Sequence, residues 1–206
     1  MSTGASNPQE DHPPDFGAEQ TDEQLMVAFA RGSTDAFEVL FRRYRQPIYA
    51  FFRRRVADAS AAEELAQEAF LVVLKSSASY QAGALFRTYL YSIGFRILRS
   101  YRRKYAFRAM FWRPLDAERE PAGRAALETG FEVRQALRKL DGMEREILML
   151  REFDQLSYAE IAGILGLPLN TVRTRLFRAR GALRELLTAR APAGAAERIV
   201  QSEERA

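Results

Sequence analysis

Residues 157–187, SYAEIAGILGLPLNTVRTRLFRARGALRELL, decide how the C-terminal part of this chain folds. Ser157 followed by Glu160 forms a capping box, in which each side chain accepts a hydrogen bond from a free backbone N–H at a helix start. Apolar residues then recur at helical spacing up to Gly166, a residue that commonly ends helices, and Pro168 suits the start of the next one. The stretch therefore predicts two helices joined by a tight turn.

The second of these helices has two different faces. Its apolar side chains form one narrow stripe, made by Val172, Leu176, Ala179, Leu183 and Leu187. The opposite face carries Asn170, Thr174, Phe177 and Arg178, with Thr171, Arg173, Arg175, Arg180 and Arg184 at its edges. A helix with base-reading side chains at its N-terminal end and arginines around them fits the DNA major groove. We therefore predict a helix-turn-helix unit; an amphipathic hairpin with a solvated basic face is the alternative.

Composition narrows the class of protein. The 206 residues suggest one or two domains, and 47% hydrophobic residues are enough for a core. The absence of cysteine excludes disulfides, thiolate metal sites and thiol nucleophiles. The sequence shows neither a secretory leader nor an apolar run that could span a bilayer, so we expect a soluble, cytoplasmic protein.

The charges are segregated along the chain. Residues 1–30 contain six acidic residues and no lysine or arginine, whereas residues 69–115 contain nine basic residues and no acidic one. Such segregation favours a polyanionic partner. Arginines interleaved with tyrosines suit bases and phosphates better than a membrane surface, which is the rival interpretation.

The remaining patterns predict an all-α fold of two small helical domains, an N-terminal helical bundle and a C-terminal helix-turn-helix domain, joined by a flexible linker. Capping boxes at Thr21 with Gln24 and at Ser60 with Glu63 begin helices, and Pro47 kinks or interrupts another. The predicted parts are a disordered acidic tail (1–20), a first domain (21–105), a linker (106–128), a second domain (129–188) and a C-terminal tail (189–206).

Two helices of the first domain carry candidate functional residues. The helix that includes residues 64–70 has apolar side chains over too wide an arc for a simple surface helix, so one edge either packs in a bundle or docks a partner. Glu64 and Glu68 are spaced for metal binding or acid–base work, but no histidine, cysteine or second carboxylate cluster supports this. The helix predicted over residues 86–105 buries Phe86, Leu90, Ile93 and Ile97 and turns Phe95 and several arginines outward.

These residues carry a family resemblance. Residues 136–186, ALRKLDGMEREILMLREFDQLSYAEIAGILGLPLNTVRTRLFRARGALREL, resemble the C-terminal promoter-reading domain of bacterial RNA polymerase sigma factors of the extracytoplasmic-function class. Residues 36–52, 63–75 and 86–104 resemble the N-terminal domain of the same class. The two halves occur in the family's order and cover roughly residues 21–188.

The resemblance implies a role for each surface. Residues 64–70 look like the segment that docks on the clamp coiled coil of the polymerase largest subunit, with Glu64 in place of the family's usual aspartate. The implied polymerase-binding residues are Glu64, Leu65, Gln67, Glu68 and Phe70. The helix from Phe86 is similar to the one that reads and melts the minus-ten element, and the loop before it would hold a flipped-out base.

The implied minus-ten residues are Arg87, Tyr91, Phe95, Arg96 and Arg99, although the family often has an asparagine where this chain has Arg96. The implied minus-thirty-five residues are Asn170, Arg173, Thr174, Arg175, Phe177 and Arg178. In relatives an acidic linker threads the RNA path, and residues 116–120 occupy the corresponding position.

We therefore expect a transcription initiation factor without catalytic residues, which binds core RNA polymerase, recognises two promoter elements and promotes strand opening. We expect promoter DNA and an anti-sigma factor as further partners, and no cofactor, metal, small-molecule substrate or membrane insertion. A LuxR-type regulator that binds duplex DNA only is one alternative, and it would not use residues 64–70. A metal-dependent nuclease using Glu64 and Glu68 is another.

Overall fold

The structure, a computed structural model, describes residues 20–77, 80, 85–111 and 128–189. Within these ranges every regular element is an α-helix, as the sequence predicts, and none of these helices is long and apolar enough to cross a bilayer. The helices are α1 (Asp22–Ala30), α2 (Thr34–Arg53), α3 (Ala59–Ser76), α4 (Phe86–Phe111), α5 (Glu128–Lys139), α6 (Gly142–Glu152), α7 (Tyr158–Leu165) and α8 (Leu169–Thr188).

Helices α1 to α4 form the first domain, a bundle with an aromatic core. Phe51 and Phe52 of α2 are fully buried, and their ring centroids lie 5.1 Å apart in an edge-to-face arrangement. A Cβ added at Gly94 would lie 3.4 Å from Cε1 of Phe51, so α4 packs directly against these rings. The predicted buried stripe of α4, which includes Phe86 and Leu90, is confirmed.

Helices α5 to α8 form the second domain, in which α7 and α8 are the predicted helix-turn-helix. The capping box of Ser157 and Glu160 is present, and Gly166 ends α7 in the left-handed conformation at φ 66°. Val172 and Leu176, on the apolar face of α8, are buried in the core. Only the turn Gly166 to Pro168 separates the two helices, because glycine adopts positive φ at little cost.

Two helix boundaries, and the interruption considered at Pro47, differ from the prediction. Helix α3 begins at Ala59, where Asp58 accepts a hydrogen bond from Ser60 N at 3.0 Å, so Ser60 lies in the first turn and is not the cap. Helix α2 continues through Pro47 without interruption, because residues on both sides of the proline, such as Leu40 and Phe51, pack into the same core. Tertiary packing outweighs the lost backbone hydrogen bond.

Helix α4 also continues to Phe111, so the first residues of the predicted linker are helical. Ala106, Ala109 and Met110 are good helix formers and extend the element that the buried stripe begins. Residues 112–127, which contain the acidic segment of the predicted linker, and both predicted tails apart from Gln20 and Ala189 lie outside the described residues.

The corrected start of α3 can be tested. Replacing Asp58 with alanine removes the side chain that accepts the Ser60 N–H and should lower the free energy of unfolding by about 1 kcal/mol. Ser60→Ala is the matched control and should leave it nearly unchanged. Urea unfolding followed by circular dichroism measures both, and a larger loss for Ser60→Ala would restore the original assignment.

Candidate nucleic-acid interface

The start of α8 leaves backbone donors available to a ligand. No side chain caps this helix and no acidic residue occupies its first turn. The carbonyl of Pro168 accepts from Thr171 N at 2.9 Å and from Val172 N at 3.2 Å, which closes the first turn but leaves the N–H groups of Leu169 and Asn170 without an intrahelical partner. Such a helix end favours an anion, because free N–H groups and the positive end of the helix dipole point at it.

The outward face of α8 presents most of the predicted DNA-reading residues together. Asn170, Arg173, Thr174, Phe177 and Arg178 are all exposed, and 81% of Phe177 is accessible. Neither Arg173 nor Arg178 forms an ion pair within the described part of the chain. Thr174 Oγ1 donates to the Asn170 carbonyl at 2.9 Å, which leaves its oxygen free to accept. An aromatic ring this exposed has no packing role in the domain.

Two other arginines of α8 brace the helix within its own domain. Arg180 donates to Oε1 of Glu152 through Nε at 3.1 Å and through Nη2 at 2.6 Å. Arg175, one of the predicted reading residues, is half-buried and lies 4.0 Å from Asp141. Within the described residues, the arginines of α8 that form no ion pair are thus Arg173, Arg178 and, nearer the C-terminal end, Arg184.

On α3 the predicted docking residues divide into two groups. Glu64, Gln67 and Glu68 are exposed, whereas Leu65 and Phe70 are 6% and 5% exposed and belong to the core. Leu65 therefore lies beneath this surface. Its predicted role, direct contact with polymerase, would require an exposed side chain. The apolar side chains that do reach the surface of α3 are Leu71 and Leu74, at 51% and 40% exposure.

A groove between α2 and α3 adjoins these residues. It has a volume of about 360 Å³ and is lined by Phe41, Arg45, Gln46, Tyr49, Glu63, Ala66, Gln67 and Phe70. Phe70 contributes to its floor, and the Phe41 ring packs edge-on against the Phe70 ring with centroids 4.9 Å apart. The groove thus combines an aromatic floor with acidic, basic and amide groups at its rim.

The predicted minus-ten residues of α4 are only partly accessible. Arg96 and Arg99 are exposed, and Phe95 is half-buried against the core. Arg87 donates to the carbonyl oxygen of Asp154 in the second domain, and Tyr91 is 2% exposed. Burial raises the pKa of Tyr91 to about 12, and the nearby charge of Asp154 raises it too. The second domain therefore covers one end of this face.

That contact belongs to an interdomain cluster of ion pairs. Arg55 donates to Glu146 Oε2 and to Asp154 Oδ2, both at 2.9 Å. Arg54 donates to the other carboxylate oxygen of Asp154, and Arg102 donates to the other oxygen of Glu146 at 2.8 Å. Each of the four carboxylate oxygens thus accepts a hydrogen bond from an arginine, and Arg55 serves one oxygen of each carboxylate. Such charge-assisted hydrogen bonds are stronger than neutral ones.

The environment of Glu146 keeps it ionised. Burial raises the pKa of this carboxyl, but the charges and hydrogen bonds of Arg55 and Arg102 lower it more, so the pKa lies below its ordinary value. Arg55 is held further by its bond to the Phe51 carbonyl at 2.9 Å and by the Phe51 ring, 3.9 Å from its guanidinium carbon.

Arg54, Arg55 and their partners were not among the functional residues identified from the sequence. One signal was available in the sequence: Ile147, Leu148, Met149 and Leu150 follow one another without a break, so apolar side chains surround one full turn of the helix. A helix that is apolar on all sides is enclosed by neighbours on more than one side, which predicts a second contact surface for α6. Among the described residues no group of three or more His, Cys, Asp and Glu could hold a metal ion.

Comparison with known protein families matches both domains. Residues 40–108 match the family described as Sigma-70 region 2, and residues 130–183 match Sigma-70, region 4. The first range includes the groove and α4 up to residue 108, and the second includes α6 and nearly the whole helix-turn-helix. A match to both domains does not support the LuxR-type alternative.

Individual relatives of the chain point to the same family. The chain is 33% identical over 188 residues to the RNA polymerase sigma-H factor of Pseudomonas aeruginosa, covering 82% of this chain and 95% of that protein. It is 31% identical to the ECF RNA polymerase sigma-E factor of Escherichia coli, over 79% of this chain and 92% of that one. The solved structure of CnrH in complex with the cytosolic domain of CnrY is similar with a TM-score of 0.65 and 26% identity, over 84% of this chain and 100% of that one.

The separation of outward and inward residues on α8 can be tested by stability alone. Phe177→Ala should change the free energy of unfolding by less than about 0.5 kcal/mol, because the ring packs on nothing. Leu176→Ala, one position earlier and 1% exposed, should lower it by about 2–5 kcal/mol. Chemical unfolding of both variants measures this, and a large loss for Phe177→Ala would show that its ring is packed.

Proposed function

Because this chain belongs to the extracytoplasmic-function class of bacterial RNA polymerase sigma factors, which act in transcription initiation, we propose that its two domains divide the work at the promoter. The first domain docks on core RNA polymerase through α3 and engages the minus-ten element through α4. The second domain reads the minus-thirty-five element through α8. As a binding factor for bacterial promoters it acts in the cytoplasm, and we assign no reaction to it.

The observation that carries the assignment to α8 is its outward face. Arg173 and Arg178 are exposed and unpaired within the described residues, and Phe177 is exposed between them. Arginine makes bidentate hydrogen bonds to guanine, and an aromatic ring contacts the thymine methyl group in the major groove. The uncapped N-terminus of the same helix suits a neighbouring phosphate.

Docking on polymerase is supported by the surface of α3. Glu64, Gln67 and Glu68 are exposed, and they offer two carboxylates and an amide to a basic partner. The adjoining groove and the exposed Leu71 and Leu74 add an apolar area of the kind that protein interfaces bury at their centre. We propose that polymerase contacts the charged residues and this apolar area together, with Leu65 as a supporting core residue.

For the minus-ten element, Arg96 and Arg99 are the residues that lie ready at the surface. We also assign Arg87, Tyr91 and Phe95 to this element. Arg87 is released when the second domain moves away, whereas Tyr91 packs on Phe51 of its own bundle. The family also implies an anti-sigma factor as a partner, and we propose one for this chain. Most of the loop expected to hold a flipped base lies outside the described residues.

Charge reversal on α3 tests the docking surface. Glu68→Lys should weaken binding to core RNA polymerase while leaving the helical content and melting temperature unchanged, because Glu68 is exposed. Glu132→Lys, at an exposed position of α5, is the matched control and should bind like the natural chain. Co-purification with core enzyme and a titration by fluorescence anisotropy measure both; equal binding of the two variants would refute the docking assignment.

A pair of arginine variants tests the orientation of α8. Arg178→Ala should relax selectivity at one or two positions of the minus-thirty-five element, by about 1–3 kcal/mol for the preferred base. Arg184→Ala, about two turns further along, should weaken binding to every sequence alike and reduce the salt slope by about one. Affinities for a library of element variants at two salt concentrations separate these results. If Arg178→Ala scales all affinities by one factor, that residue contacts phosphate and the proposed orientation is wrong.

A further inference from the structure

The interdomain cluster holds α4 close to the helix-turn-helix, whereas the proposed function requires these two DNA-binding surfaces to lie far apart. Elements named for positions ten and thirty-five bases upstream lie about two and a half helical turns apart on DNA, on the order of 85 Å. In the structure, however, α7 of the helix-turn-helix packs on α4, the proposed minus-ten helix. A Cβ added at Gly163 would lie 3.5 Å from Cγ2 of Thr88, so the two helices are in direct contact. The chain described here is therefore in a closed state.

The closed state is held by a complete set of polar contacts. The side chains of Arg55 and Asp154 are 0% exposed and that of Glu146 is 6% exposed. No buried side-chain nitrogen or oxygen atom in the described residues lacks a hydrogen-bond partner. Because buried charges are tolerated only when they are paired, separating the domains requires another anion, or water, for Arg55.

The carboxylates of Glu146 and Asp154 occupy positions that suit phosphate oxygens. Arginine binds carboxylate and phosphate through the same planar donors. Four arginines converge here: Arg54 and Arg55 from the turn after α2, and Arg87 and Arg102 from α4. On opening, they would form one basic patch on the domain to which we assign the minus-ten element.

We propose that Glu146 and Asp154 form a latch that holds the free sigma factor closed, and that the four arginines they occupy bind the sugar–phosphate backbone of promoter DNA once the latch opens. The proposal rests on the proposed function of the first domain. In this proposal the second domain competes with DNA for the same arginines. They can bind either Glu146 and Asp154 or the DNA phosphates, but not both at once.

Charge-neutral variants test the latch. Glu146→Gln with Asp154→Asn keeps the side-chain shapes and removes both charges. Glu132→Gln with Glu144→Gln removes the same charge from the second domain outside the latch, at side chains that form no ion pair within the described residues, and is the matched control. Because the chain has no cysteine, Lys75→Cys and Glu185→Cys, both exposed and in different domains, can be labelled in each background for energy transfer.

We expect the latch variant to show lower energy transfer than the natural chain, and the control to match it. On a mixed-sequence DNA duplex without polymerase, the latch variant should bind more tightly by about 5–150-fold, the usual range of coupling between two states. Its salt slope should be steeper by up to about 3.6, because four more arginines reach phosphates. Equal transfer, equal affinity and an equal slope in both variants would overturn the latch. If the latch variant fails to fold, Arg102→Gln, which removes a half-exposed partner of Glu146, should still lower the transfer, and no change would refute the proposal.

A reversible lock tests whether closure inhibits. Thr88→Cys with Gly163→Cys places two sulfurs within reach of a disulfide across α4 and α7. With core polymerase and a promoter that the natural chain transcribes, the oxidised form should give little transcript, and reduction of the same sample should restore it. The Thr88→Cys single variant controls for the oxidant.

The outcomes separate the two proposals. If the oxidised and reduced forms are equally active, the closed state does not inhibit and the latch proposal is wrong, while the proposed function stands. If the natural chain itself directs no transcription from any promoter with core enzyme, the proposed function fails irrespective of the lock.

Discussion

The arrangement of the two domains depends on one buried guanidinium group, that of Arg55. Its side chain has no exposed surface, so it cannot exchange its protein partners for bulk water without moving the domains. Placing a single charge in such a site costs several kcal/mol, which two carboxylates, a backbone carbonyl and the Phe51 ring together offset. Each carboxylate then requires a second arginine for its remaining oxygen, which brings Arg54 and Arg102 into the same contact.

Because of this requirement, the two proposed DNA surfaces differ in how accessible they are in the closed chain. The reading face of α8 contributes almost nothing to packing, and its free arginines are available in the closed chain. The proposed minus-ten face of α4 serves as part of an interface, with Arg87 and Tyr91 covered. In the proposed function, the second domain can thus contact DNA in the closed chain, whereas the first domain binds DNA only after a rearrangement. This order suits a factor that opens the DNA strands late.

The proposed polymerase-docking surface is independent of this contact. Glu64 and Glu68 lie on α3, which packs on α2 and α4 of its own domain, and the adjoining groove is lined only by residues of α2 and α3. A partner can therefore engage the first domain while the ion pairs remain intact. Binding at α3 and opening of the domains are two separable steps, and any coupling between them must pass through the core of the bundle that both surfaces share.

The sequence by itself determined the elements and the faces of the helix-turn-helix. Local spacing specifies the cap at Ser157, the helix end at Gly166 and the apolar stripe of Val172 and Leu176, because each depends only on residues a few positions apart. It was less reliable where packing competes with local preference, as at Pro47 and at the start of α3. Only the tertiary structure decided that Leu65 lies in the core and that Arg55 pairs with Glu146 and Asp154. Those ion pairs join residues 91 and 99 positions apart, and no local pattern fixes how two helices so distant in the chain face each other.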